Sequence, residues 1–125
     1  MTQARERLAD NEYDLILCDI MMPDGNGLDL LQEIKSGDSR ASVVMMTAYT
    51  STKSAVEAMR LGAFDYLIKP VEPTTLVEVL RGAIAPEEGE VLIVDDDADT
   101  RSMVSRRLRS EGFTVSEAVD GADAL

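Results

Sequence analysis

The sequence predicts an α/β fold in which a parallel sheet of five strands carries helices on both faces. Three observations lead there. Short apolar runs alternate along the chain with segments whose apolar residues recur at helical spacing. The runs are apolar at consecutive positions, as in Leu15-Ile16-Leu17 and Val91-Leu92-Ile93-Val94, which a strand buried on both faces requires. Several of them end in a polar group suited to chemistry, namely Asp19, Thr47, Lys69 and the pair Asp95 and Asp96. In open α/β sheets, ligands bind beyond the carboxyl ends of the strands, so these groups converge on one crevice.

The elements follow in order. Residues 4–11 read as a helix with Leu8 inward, and 13–19 as the first strand. Pro23, Gly25, Asn26 and Gly27 mark a loop. Leu28, Leu31 and Ile34 define a helix over 28–36 that stops near Gly37. A buried strand over 42–47 leads to a helix over 54–61, which Gly62 ends. The strand 63–68 runs up to Pro70, and a helix over 74–84 turns Leu76, Val77, Leu80 and Ile84 inward. Residues 85–90, with Pro86 and Gly89 among acids, read as a linker. The strand 91–95 follows, then a helix capped by Asp99 or Thr100 and running to about Glu111, where Gly112 ends it. Residues 113–119 alternate apolar and polar, as an edge strand with one solvated face would. The stretch 121–125 resembles the first turn of a further helix.

Composition narrows the function. The chain has 125 residues, 45% of them apolar and 29% charged, as expected of a single globular domain. Its 24 acidic and 12 basic residues leave a net charge of −12, which argues against nucleic acid or an anionic membrane as a direct partner. No apolar run approaches the ~20 residues of a membrane span, and the charged start is unlike a signal peptide. Cys18 is the one cysteine and lies in an apolar strand, so no disulfide framework exists and a cytoplasmic setting is expected. There is no histidine, which excludes histidine catalysis, histidine metal ligation and phosphohistidine on this chain.

Asp95, Asp96 and Asp19 would bring three carboxylates together, a conflict that a hard divalent cation such as Mg²⁺ resolves. Lys69 adds an ammonium and Thr47 a hydroxyl donor. Cation, ammonium and hydroxyl around a carboxylate form the set that stabilises a phosphoryl group in transfer, and one carboxylate can then act as nucleophile. Each residue alone has a plainer reading: Asp95, Asp96 and Asp97 as a capping cluster, Thr47 as a capping hydroxyl, Lys69 as an exposed lysine, Tyr66 as packing. Arg101, Arg106, Arg107 and Arg109 read as a solvated helix face. Two other sites fail on spacing. A phosphohydrolase loop Asp-x-Asp-x-Thr starting at Asp95 would need Thr where Asp99 stands, and a calcium loop would need Gly and Glu where Thr100 and Arg106 stand.

In combination, Val94-Asp95-Asp96-Asp97, Cys18-Asp19-Ile20-Met21-Met22-Pro23 with Gly27, Met46-Thr47-Ala48 and Tyr66-Leu67-Ile68-Lys69-Pro70 resemble the receiver domain of two-component response regulators, a flavodoxin-like fold. The resemblance implies a signalling switch rather than an enzyme. Asp19 is then the phosphoacceptor, and Asp95, Asp96, Asp19 and the Met21 carbonyl serve Mg²⁺, Asp95 through water. Lys69 contacts the phosphoryl oxygens and is joined to Pro70 by a cis bond. Thr47 and Tyr66 form the switch pair, small Ala48 leaves room for the donor, and Met21 and Tyr49 tune dephosphorylation. The implied partners are a histidine kinase or histidine phosphotransfer protein as donor and an output domain outside this chain.

The motifs stand in an unusual order. The family's opening third corresponds to 91–125 and the remainder to 1–84, so the expectation is one circularly permuted receiver with 85–90 as linker. The alternatives are a fragment of tandem receivers, complemented within one chain or swapped between two, and a permuted receiver scaffold whose phosphoryl chemistry is lost. Closure in one chain is feasible: the return from the edge strand to Val91 spans three strand positions, roughly 14 Å, and six extended residues reach about 20 Å. A right-handed crossover in that reversed direction puts its helix on the opposite face of the sheet.

Overall fold

The computed structural model describes residues 12–22, 25–37, 40–48, 52–85 and 89–118. The predicted helix over 4–11, the turn over 121–125 and Tyr49 lie outside the described residues. In chain order the elements are β1 (Leu15–Asp19), β2 (Met21–Met22), β3 (Gly25–Asn26), α1 (Gly27–Ser36), β4 (Ser42–Ala48), α2 (Thr52–Arg60), β5 (Asp65–Lys69), α3 (Pro73–Ala83), β6 (Glu90–Val94), α4 (Ala98–Ser110) and β7 (Thr114–Ala118).

Five strands form one parallel sheet in the order β5-β4-β1-β6-β7. The most apolar strands are central: β1 lies between β4 and β6, with Leu17 opposite both Val44 and Ile93. Alternation along β1 splits the core in two. Ile16 and Cys18 pack with Leu30, Leu31 and Ile34 of α1 and Ala58 of α2. Leu15 and Leu17 pack with Leu76 and Leu80 of α3 and Val104 and Leu108 of α4. The sheet is therefore covered on both faces, as its consecutive apolar positions require. Helices α1 and α2 belong to the steps β1 to β4 to β5, whereas α3 belongs to the return to β6. Right-handed crossovers taken in opposite directions put them on opposite faces.

The differences from expectation are local and have physical reasons. A short antiparallel pair forms around the predicted loop, Met21 with Asn26 and Met22 with Gly25, and α1 begins at Gly27 rather than Leu28. Helix α4 is capped by Asp97, not by Asp99 or Thr100. Asp97 Oδ1 accepts the Asp99 N–H at 3.0 Å and Oδ2 accepts the Thr100 hydroxyl at 2.9 Å. Glu72 caps α3 through the Thr75 N–H at 2.9 Å, so Pro73, which has no N–H to satisfy, takes the first helical position. The third long strand runs over Asp65–Lys69 instead of 63–68, because the Ala63 N–H is still tied to the Ala58 carbonyl at 3.0 Å, just after the turn at Gly62 (φ 101°). Glu90 belongs to β6, not to the linker: its N–H donates to Asp14 Oδ2 at 2.9 Å and its carbonyl accepts from the Asp14 N–H at 2.8 Å. Strand β7 is at the sheet edge, as its alternation predicted.

Candidate functional site

The carboxyl ends of β1, β4, β5 and β6 deliver the site. Asp19 closes β1 and is buried. Immediately after it, Ile20 donates its N–H to the Met46 carbonyl at 2.9 Å and accepts the Gly27 N–H at 2.7 Å, which folds the following loop back onto the strand end. Any side chain at residue 27 would collide with the Asp19 carbonyl, so the close approach requires glycine. Beyond β6, Asp95 is fully buried, and its Oδ1 accepts the Asp97 N–H at 2.9 Å.

Lys69, the last residue of β5, reaches across to both acids. Its Nζ lies 2.8 Å from Asp19 Oδ2 and 2.9 Å from Asp95 Oδ2. The Lys69–Pro70 bond is cis, as the resemblance implied. Asp19, Asp95 and Asp96 each offer a carboxylate oxygen within 4.8 Å of the others. Asp95 Oδ2 is buried without a well-formed hydrogen bond and is held by the charge of Lys69. Burial raises the Asp95 pKa, against the Asp97 N–H and Lys69, and the charge of Asp19 adds to the rise. Burial also raises Asp96, with the charge of Asp95 acting in the same direction. Burial works against the Lys69 ammonium, but its bonds to Asp19 and Asp95 outweigh this and its pKa is raised. Three crowded carboxylates facing one ammonium, with a buried oxygen short of donors, suit a hard divalent cation.

Thr47 is buried in β4 opposite Ile68. Tyr66 is 38% exposed on β5 opposite Met45, two positions before Thr47's own register partner. Met21 stands two residues beyond Asp19, at the start of β2. Cys18 is buried and free, and burial pushes its thiol up, which makes it inert packing.

One residue of the site region was misread from sequence. Arg101 is not part of a solvated face: its Nη1 donates to the Asp95 carbonyl at 2.7 Å and its Nε lies 3.5 Å from Glu117 Oε1. Arg109 stays exposed, as read, while also donating to the Val115 carbonyl at 3.1 Å. The signal was present, because Arg101 precedes Val104, Ser105 and Leu108 by three, four and seven positions and so continues their buried stripe.

This fold and strand-end site define a flavodoxin-like receiver. The response regulator receiver domain family matches residues 1–81, and the chain belongs to that family. Asp95 and Asp96 lie beyond the matched span. The chain is 40% identical over 111 residues to the response regulator protein PilR of Pseudomonas aeruginosa, covering 87% of this chain and 25% of that one. It thus spans about a quarter of that relative. A response regulator receiver protein from Pseudomonas putida superposes with a TM-score of 0.59 at 31% identity, over 65% of this chain and 69% of that one. A response regulator from Burkholderia pseudomallei, with a phosphorylated aspartic acid, calcium ion and citrate, shares the fold with a TM-score of 0.55 at 20% identity, over 88% and 55% of the two chains. Among the described residues no helix is long and apolar enough to cross a membrane.

Proposed function

We propose that this chain is a phosphoacceptor switch in which Asp19 takes a phosphoryl group from a histidine kinase, a histidine phosphotransfer protein or a small acyl phosphate. The observation that carries this reading is the meeting of Asp19, Asp95 and Asp96 within 4.8 Å around the Lys69 ammonium. Mg²⁺ fits this donor set: Asp96, Asp19 and the Met21 carbonyl would hold it, with Asp95 assisting through water, and it would supply charge neutralisation to the phosphoryl oxygens.

The chain's own groups do the rest. A carboxylate oxygen of Asp19 forms a bond to phosphorus as the donor's N–P or acyl O–P bond breaks, and the leaving group keeps the electron pair. Lys69 leaves its contact with Asp19 Oδ2 to pair with the incoming phosphoryl oxygens, remaining tethered by Asp95. The buried Thr47 hydroxyl donates to the phosphoryl group, and Tyr66 turns its exposed ring inward behind it. This changes the surface around α2, β5 and α3, which an output domain outside this chain reads. The phosphoryl group later passes to water. The cycle regenerates the chain without making it an enzyme on other substrates, and it belongs in the cytoplasm.

We also read the chain order as a rotation of the family's order, with 91–125 supplying its opening third and 1–84 the remainder. The pairing of β6 with β1 and of Glu90 with Asp14 supports closure within one chain over a tandem fragment or an exchange between two.

Intact-mass measurement after incubation with Mg²⁺ and a small acyl phosphate tests the function. One phosphoryl group on the wild type and none on Asp19→Asn is expected; equal uptake by a folded Asp19→Asn protein would refute the assignment.

A further inference from the structure

We infer that Arg101 is a positioning residue for the divalent-cation site, an inference that rests on the cation reading above. Arg101 lies four residues beyond the cap of α4, and helical side chains lean toward the helix N-terminus, so it reaches back over the loop that carries the acids. Its side chain is 16% exposed, and its guanidinium reaches the Asp95 carbonyl at 2.7 Å and Glu117 Oε1 at 3.5 Å. One side chain thereby joins the end of β6, the first turn of α4 and the edge strand β7.

The contact falls at a telling atom. The Asp95 carbonyl belongs to the peptide unit that links Asp95 to Asp96. The tilt of that unit sets the directions in which both carboxylates leave the chain. Asp95 is fixed on its other side, where Oδ1 accepts the Asp97 N–H, so its Oδ2 is directed toward Lys69. Asp96 is more exposed than Asp95, and its carboxyl bonds to its own backbone and to the Asp95 side chain, so its direction follows that of the Asp95–Asp96 peptide. Arg101 holds the carbonyl of the Asp95–Asp96 peptide from outside the loop, while the Asp95 N–H donates to the Ala118 carbonyl of β7 at 3.3 Å. Its positive charge by itself opposes a cation nearby, and Glu117 offsets that charge. What Arg101 contributes to cation binding is orientation. A planar fork meets two acceptors at once, which an ammonium does not.

The sign of the effect makes this testable. Removing a positive charge beside the site would by itself tighten Mg²⁺; losing the orientation weakens it. Calorimetric titration of the full chain with Mg²⁺ is the measurement, with thermal unfolding of each variant recorded in chelator. Arg101→Ala is expected to weaken Mg²⁺ roughly tenfold, the lower end of what outer-shell partners of a metal site contribute. Arg101→Lys, which keeps the charge and one donor, is expected to recover part of that loss. A folded Arg101→Ala protein with unchanged or tighter Mg²⁺ binding overturns the inference, as does a lowered melting temperature with no change in affinity. If Arg101→Ala does not fold, Arg101→Lys carries the test: weaker binding than wild type supports the role and equal binding overturns it. A wild type that does not take up Mg²⁺ overturns the cation reading and this inference together, whereas wild-type binding with an unaffected Arg101→Ala removes this inference alone.

Discussion

Lys69 is the hinge of the site's electrostatics. It sits 2.8 Å from Asp19 and 2.9 Å from Asp95, and without it two buried carboxylates would face each other. The signs can be followed. Asp95 and Asp96 have folded pKa values above their ordinary 3.8, so they favour the folded state in acid, and that contribution is lost as pH rises through their folded values. Lys69, also raised, contributes below its ordinary 10.5 and ceases to do so as pH rises through its folded value. At neutral pH the ionised acids are thus a cost that the ammonium offsets. Lys69→Met is expected to lower stability by about 1–3 kcal/mol at pH 7 in chelator, the cost of breaking a buried pair reduced for partial exposure. Denaturant unfolding with and without Mg²⁺ checks this: the cation should recover more stability in the variant than in wild type. Equal stability of variant and wild type in chelator would contradict the account.

Elements were legible from the sequence where burial alone decides them, and less so at their ends. The central strands β1, β4 and β6 followed from consecutive apolar residues, β7 from its alternation, and the faces of α1 and α3 from helical spacing. The cap of α4 did not follow, because Asp97, Asp99 and Thr100 all qualify by residue type. What selects Asp97 is a local turn: Asp95 Oδ1 takes the Asp97 N–H two residues on and turns the chain there. The same local accident hid Arg101, since only with the cap at Asp97 does its reach toward Asp95 become evident. Placement of the site residues on strand ends was readable; the shared Lys69 contact depends on sheet register and was not. The cap of α3 gives a test at this scale. Glu72 accepts from the Thr75 N–H, which lowers its pKa below 4.5. A lowered acid stabilises the fold above its unfolded pKa, and that contribution is lost as pH falls through the folded value. Glu72→Gln should therefore melt below wild type at pH 7 and converge with it near pH 3 in thermal scans. A gap that persists in acid would assign the effect to packing instead.

At the scale of the whole molecule, the site is built across a seam. Asp19, Thr47 and Lys69 come from the segment before the linker, and Asp95, Asp96 and Arg101 from the segment after it. Pairing of β1 with β6 and the Arg81–Glu111 ion pair at 2.7 Å close that seam within one chain. At Gly89 the path is narrow: a Cβ there would lie 2.6 Å from Ile84 Cδ1 and 3.1 Å from Phe113 Cδ1, so a larger residue would have to push the Ile84 side chain aside. The strand order was legible because each strand-end motif has its own neighbours. The residue that takes the phosphoryl group tests the central claim most directly. Monomeric protein, isolated after reaction with a small acyl phosphate and Mg²⁺, is reduced with borohydride, and the modified residue is located by tandem mass spectrometry. The account predicts modification at Asp19 alone, abolished by chelator; modification at Asp95, Asp96 or Asp97, or none in a folded monomer, would contradict it.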